Sequence, residues 1–382
     1  MKRIAAWFAG LLAIATALPS PAEAPAAPAP RMAAKSFVLV DFPTGQTLTA
    51  QNPDERIDPA SLTKLMTAYV VFEAIKEKKL SLTQTLPVSV KAWKAEGSRM
   101  FIQPDLPVTV DQLLHGVIIQ SGNDASIALA ESVAGSEDLF AEAMNKKAVQ
   151  LGMKNTHFMN STGLPDKEHY STASDIALIT AAIIRDFPEF FPLYSQKEYT
   201  YNKITQPNRN RLLWLDKFVD GMKTGHTDAA GFCLVSTAKR DDRRLISVVL
   251  GAASDNARTV ESQKLLNYGF QFFDTKRLYQ KGQSVATLEV YKGDAKTVSA
   301  GFQRDLFLTL PREQFAKLKA TLATTQPLLA PLAAGQKVGT MKVTLDDKTV
   351  DEFPVVALQD VPAAGFFGRT WDSIRLLWAG KK

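Results

Sequence analysis

Two kinds of hydrophobic repeat divide this chain, and the point where one gives way to the other limits the folds open to it. From Leu62 the apolar residues Leu62, Leu65, Met66, Tyr69, Val70 and Ile75 recur at helical spacing. The same reasoning predicts helices over 110–119, 124–134, 137–151 with Gly152 as the stop, 174–185 and 257–273. Strand-like runs flank the helices. Residues 36–41 and 46–51, joined by Phe42-Pro43-Thr44-Gly45, read as a hairpin, and 232–239 and 244–251 around Asp241-Asp242 as a buried antiparallel pair. Strands at both ends of a run of helices predict an α+β domain whose terminal segments share one sheet. Beyond about Asp274 the helical spacing fades. Short Val, Thr and Leu runs at 284–291, 306–310, 337–345 and 349–357 alternate with Gly, Pro and Asp and predict a small all-β domain.

The two ends of the chain are of other kinds. Lys2 and Arg3 precede an apolar run from Ile4 to Leu18, shorter than the ~20 residues a spanning helix needs. That is the pattern of a secretory signal peptide, with Ala22-Glu23-Ala24 as the best cleavage site; a retained N-terminal anchor is the alternative. The residues that follow are almost all Pro and Ala, an extended leader. At the other end Phe366, Phe367, Trp371, Ile374, Leu377 and Trp378 fall on one helical face, with Arg369, Asp372, Arg375, Lys381 and Lys382 off it. This tail is too short and too charged to span a bilayer but suits lying in its interface. Docking on the protein's own core is the competing reading. The expected organisation is a signal peptide over 1–24, a leader over 25–34, the α+β domain over 35–274, the β domain over 275–361 and an amphipathic membrane-anchoring helix over 362–382.

Composition serves mainly to exclude. With 382 residues, 46% of them hydrophobic, the chain can bury a full core. A net charge of +6 with no clustered basic patch argues against a nucleic-acid partner. Cys233, the single cysteine, allows no disulfide framework and no zinc spacing, and reads as a buried apolar residue. His115, His157, His169 and His226 show no metal-binding spacing, so no metal and no cofactor are expected.

Three short motifs carry the chemistry. Ser61-Leu62-Thr63-Lys64 opens a helix, where positions i and i+3 share a face, so the hydroxyl and amine can meet. By itself the motif reads equally as a capped helix with a surface lysine. A second copy, Ser236-Thr237-Ala238-Lys239, lies on a predicted strand, where such side chains point to opposite faces. Ser121-Gly122-Asn123 presents a hydroxyl and an amide between two helices, or simply caps the second. Lys223-Thr224-Gly225-His226-Thr227, with Gly221 and Gly231 nearby, suits a strand edge where a substrate backbone comes close, or a plain hairpin turn. The order S-x-x-K, then S-x-N, then K-T-G is that of serine enzymes that recognise β-lactams. It sets aside Ser254-Asp255-Asn256, which then reads as the cap of the helix carrying Arg258.

With these motifs, and with Asp58-Pro59-Ala60 before the first, Gln120-Ser121-Gly122-Asn123-Asp124-Ala125, 152–158, Asn208-Arg209-Asn210, Asp220-Gly221-Met222 before the third, 261–266 and Phe366-Phe367-Gly368, the chain resembles the low-molecular-mass penicillin-binding proteins of the serine-type D-alanyl-D-alanine carboxypeptidase family, from Lys35 to its end. The resemblance implies a penicillin-binding serine transferase (β-lactamase-like) domain, a β-sandwich domain and a C-terminal amphipathic anchor, on a protein exported to the periplasmic face of the bacterial inner membrane. It implies that peptidoglycan pentapeptide stems lose their terminal D-alanine through an acyl-enzyme on Ser61, and that β-lactam antibiotics acylate the same residue. Lys64 would be the base and Ser121 the proton relay. Asn123, Lys223, Thr224, Gly225, His226 and Arg258 would bind substrate, with the backbone N–H groups of Ser61 and His226 as the oxyanion hole. A serine β-lactamase, a non-catalytic wall-binding scaffold and a transpeptidase or endopeptidase are the other readings. Against the first, the segment 160–170 holds only Glu168, outside the setting of a deacylating glutamate.

Overall fold

The structure, a computed structural model, describes residues 28–379. The expected signal peptide and its cleavage site lie outside the described residues, as do the side chains from Leu377 onward. The predicted sharing of one sheet by the two terminal segments is observed. Strands β1 (Ser36–Asp41), β2 (Thr47–Gln51), β3 (Val219–Thr227), β4 (Gly231–Arg240) and β5 (Arg243–Ala252) form an antiparallel sheet in the order β2-β1-β5-β4-β3. Strand β1 pairs with β5 in the register Ser36↔Leu250 to Asp41↔Leu245. Strand β3 is an edge, as the glycine-flanked lysine motif suggests.

Side chains alternate across this sheet with period two, and both faces are covered. Phe37, Leu39, Leu234, Leu245 and Val249 pack with Leu265 and Leu266 of the helix Asp255–Phe272. Val38, Val235, Ile246 and Val248 face the helical lobe, where Leu65, Met66, Ile176 and Ile179 meet them. A Cβ on Gly269 would fall 2.6 Å from Leu245 Cδ1, so glycine sets how closely that helix lies on the sheet. The helix Lys64–Lys76 is buried on every side from Lys64 to Phe72 and therefore runs through the lobe rather than over it. Its polar residues must find partners inside.

The predicted helices appear within two residues of their expected bounds with one difference: Val110–His115 continues as a π-helical turn, Gly116–Gln120. Phe273 begins a strand, Phe273–Tyr279, which pairs with Leu306–Pro311. The rest of the second unit is a six-stranded sheet in the order Leu318–Thr324, Lys337–Leu345, Lys348–Ala357, Thr297–Gly301, Ser284–Tyr291, Leu328–Leu329. Its core includes Val290, Val298, Leu308, Val338, Val343 and Val355.

Asp41 joins the two units. Its carboxylate is fully buried and accepts from Thr44 Oγ1 (2.9 Å) and Arg243 Nε (2.9 Å) on one side. From the other it takes Thr275 Oγ1 (2.6 Å) and Thr309 Oγ1 (2.9 Å).

The terminal helix, Phe366–Ala379, docks by its polar side. Asp372 is buried, accepts from the Lys292 backbone N–H at 2.6 Å and pairs with Lys296, while Arg375 meets Glu289 at 2.7 Å. Phe366, Phe367, Trp371 and Ile374 are left exposed, Phe367 at 88% and Trp371 at 63%. This is the reverse of docking on the protein's own core. No helix among the described residues is long and apolar enough to cross a membrane.

Candidate active site

The turn before the buried helix fixes the first hydroxyl. Asp58 Oδ1 accepts from the Ala60 N–H (2.8 Å) and Asp58 Oδ2 from Thr227 Oγ1 (2.8 Å), which ties the turn to the far end of β3. Ala60–Thr63 is a single 3-10 turn, and Ala60 holds a left-handed φ of 47°, uncommon for a residue with a side chain. A Cβ on Gly225 would come within 3.0 Å of the Pro59 carbonyl oxygen and 3.2 Å of Ala60 Cβ. Gly225 thus lets the edge strand close on the turn that bears Ser61.

Lys64 follows one turn later and is 1% exposed. Its Nζ lies 3.1 Å from Ser61 Oγ, 2.7 Å from Asn123 Oδ1 and 2.5 Å from the Thr162 carbonyl oxygen. Burial, then the Arg209 guanidinium, brings its pKa down to about 7 against the weaker pull of Asp124 and Glu137. The geometry has a chemical consequence. A neutral amine keeps two hydrogens; Asn123 and Thr162 accept both, and the lone pair is left facing Ser61.

A second pair stands opposite. Ser121 sits at φ 64°, after the π-helical turn, as the chain enters the helix Asn123–Ala134. Asp124 secures this junction, its carboxylate accepting from the Met100, Phe101 and Ile102 N–H groups, and Asn123 Nδ2 donates to the Glu96 carbonyl at 2.6 Å. Lys223, buried on β3, donates to Ser121 Oγ (2.8 Å) and to the Thr224 carbonyl (2.9 Å). Burial, with Lys64, Arg209 and Arg258 adding repulsion, holds its pKa well below the usual lysine value. Because Ser121 accepts from Lys223, its own proton remains available to donate. Neither buried lysine forms an ion pair with a described carboxylate.

The structure brings the three motifs together, and it separates their decoys. Lys239 of the second S-x-x-K lies exposed on β4 while Ser236 is buried, and Ser254 caps the helix Asp255–Phe272 by accepting from the Ala257 N–H. Thr224 is buried beside Lys223, and His226 is exposed and packs on Phe232 with ring centroids 4.0 Å apart. Arg258 is 6% exposed; it donates to the Gly225 and Cys233 carbonyls at 3.1 and 3.3 Å and pairs with Asp255. It therefore braces β3 against β4 from behind. Three contributors had no assigned role in the sequence. The Thr162 carbonyl could not be found from letters, because any residue type supplies one. Glu137 is taken up below. Arg209 lies in the recognised Asn208-Arg209-Asn210 stretch, is exposed, and has no hydrogen-bond partner among the described residues. Two buried neighbours hold it in place: Asn208 accepts from the Asn210 N–H, and Asn210 Nδ2 donates to the Gly221 carbonyl. The arrangement offers two hydroxyls, each in contact with a buried lysine of lowered pKa, and an open guanidinium, with no metal cluster among the described residues.

Matches to known proteins cover most of the chain. The family model described as D-alanyl-D-alanine carboxypeptidase matches residues 22–254, and that described as the C-terminal domain of penicillin-binding protein 5 matches 273–363. The D-alanyl-D-alanine carboxypeptidase DacC of Escherichia coli is 46% identical over 356 residues, covering 91% of this chain and 89% of that protein. Among solved structures, penicillin-binding protein 5 from Haemophilus influenzae superposes with a TM-score of 0.85 at 44% identity, covering 88% of this chain and 99% of the other. A penicillin-binding protein of Listeria monocytogenes in its ampicillin-bound form matches with a TM-score of 0.59 at 32% identity, covering 64% of this chain and all of the other.

Proposed function

The chain belongs to the D-alanyl-D-alanine carboxypeptidase family of low-molecular-mass penicillin-binding proteins, serine-type peptidases that bind β-lactams, and on that premise we propose the part each residue takes in the reaction. Ser61 Oγ attacks the carbonyl between the two terminal D-alanines while Lys64 takes its proton. The peptide C–N bond then breaks. Ser121 relays the proton held by Lys64 to the departing amine, giving up its own and regaining that one, so D-alanine leaves and Lys64 is neutral again. Water resolves the ester on Ser61, with Lys64 again the base. The backbone N–H groups of Ser61 and His226 receive the oxyanion. Asn123 serves twice, holding Lys64 and reaching the substrate amide. The terminal carboxylate is met by the Thr224 hydroxyl and by the charges of Lys223, Arg209 and Arg258. Of the two arginines, Arg209 has the free guanidinium, while Arg258 acts chiefly by keeping Gly225 and the edge strand in place.

The observation that carries this reading is the Lys64 amine, buried and brought to about pH 7, with two of its three directions occupied and the third facing Ser61. The test is release of D-alanine from a diacetyl-Lys-D-Ala-D-Ala peptide by the chain from Lys35 to Asp360. Release is expected. A folded protein that forms a penicillin adduct on Ser61 yet releases none would point to a scaffold.

The outward aromatic face of the terminal helix supports peripheral attachment to a membrane after export, with the Asp372 and Arg375 contacts keeping the helix docked as its apolar side enters the lipid interface. Removing 366–382 leaves the buried Val361 in place and is expected to shift the mature protein from the membrane pellet to the supernatant. The double substitution Phe367→Glu, Trp371→Glu is expected to do the same without shortening the chain. A truncated protein that still sediments with membranes would show that the anchor lies elsewhere.

A further inference from the structure

We infer that Glu137 is a positioning residue for the reaction, acting through Ser161 to hold the Thr162 carbonyl that aims the Lys64 amine at Ser61. This rests on the reading of Lys64 as the base. Glu137 is the first residue of the helix Glu137–Gln150, directly after its cap Ser136, where a carboxylate is favoured but ordinarily lies in solvent. Here it is 7% exposed. Oε1 accepts from both the Ser161 N–H (3.0 Å) and Ser161 Oγ (2.7 Å), and Oε2 pairs with Lys91 at 2.8 Å. Burial opposes its ionised form, but Lys91 and the two Ser161 donors outweigh that and hold its carboxyl below the usual range.

The segment so held is the one that matters to Lys64. The Ser161 carbonyl accepts from Thr67 Oγ1 at 2.6 Å, on the same buried helix and one turn beyond Lys64. Asn160 Oδ1 gathers the Thr162 N–H, the Thr162 hydroxyl and the Gly163 N–H. On the side facing the nucleophile turn there is no room: a Cβ on Gly163, at φ 84°, would fall 1.8 Å from the Ala60 carbonyl oxygen. The Thr162 carbonyl is therefore wedged toward Lys64 by the turn on one side and restrained by Glu137 on the other. Release of the Glu137 side lets the carbonyl recede, and the amine loses one of the two acceptors that direct its lone pair. The charge of Glu137 also enters, since Lys64 is faced by Arg209 and Lys223 on one hand and by Asp124 and Glu137 on the other, with His169 nearby.

The test compares Glu137→Ala, Glu137→Gln and Ser161→Ala in the full-length mature protein, each normalised to active sites by stoichiometric penicillin labelling. Glu137→Ala is expected to lower kcat for D-alanine release, and the acylation rate by benzylpenicillin, roughly 10- to 100-fold with KM little changed. Glu137→Gln keeps an oxygen that can accept from Ser161. It is expected to recover most of the rate while the rising limb of the pH profile moves to lower pH, because a negative charge near Lys64 has gone. Ser161→Ala should fall between them. Wild-type kcat in Glu137→Ala at every pH would overturn the inference. If that variant does not fold, a Glu137→Gln limb at the wild-type position together with a Ser161→Ala kcat equal to wild type overturns it instead. A wild-type protein with no rising limb near pH 7 would remove the Lys64 reading itself, a failure separate from that of Glu137.

Discussion

Ser61→Ala is expected to abolish turnover, lowering kcat for D-alanine release by about 10⁴-fold or more, and to leave no covalent adduct with penicillin. The size of the effect follows from the absence of a substitute. Ser121 Oγ is occupied by Lys223, and Thr63 Oγ1 by His169 Nε2 at 2.8 Å, so of these hydroxyls Ser61 alone is hydrogen-bonded to Lys64. The fold should be unaffected, since Ser61 Oγ makes a single side-chain contact, with Lys64, and the turn is held by Asp58 and Gly225. Adduct formation at wild-type rate in this variant would move the nucleophile to another residue.

Lys64→Met, which keeps the length and apolar stem of the side chain, is expected to lower acylation by about 10²- to 10⁴-fold, the range a general base supplies. The more telling result is its combination with Ser61→Ala. Groups that act as one unit are not additive, so the double variant should lose little beyond the worse single one. Independent contributions would multiply. The wild-type pH profile carries the same logic. Lys64 abstracts a proton only when neutral, and its pKa is lowered to about 7. The acylation rate should therefore rise tenfold per pH unit below that value and level off above it. A rate that falls as pH rises through 7 would mean that the working form of Lys64 is the charged one.

Much of this was legible from residue order. The sheet shared by both ends of the first domain follows from strands placed at both ends of the helices, and the S-x-x-K motif could be separated from its copy because period-two geometry forbids Ser236 and Lys239 from meeting. The strands at 273–279, 297–301 and 318–324 were not legible. Thr297–Gly301 has only Val298 as a branched aliphatic residue, and Leu318–Thr324 lies mostly exposed, so neither is specified by its own pattern; each is a strand because a neighbour pairs with it. The site was legible where side chains have a required chemical type and not where they do not. Lys64 can be read from spacing, but the acceptor that directs it is a backbone carbonyl, and the residue behind that carbonyl, Glu137, sits in a helix start where a glutamate is unremarkable. Arg209 stood in a recognised stretch, but its approach to both lysines depends on long-range packing through Asn210 and Gly221.

The buried carboxylate of Asp41 has a mechanical meaning. Two donors reach it from each domain, and none can be exchanged for water while the seam stays closed, so twisting one domain against the other would strand all four together. Closure of the seam and burial of Asp41 are therefore one event, and the β domain is seated directly against the sheet whose far edge is β3.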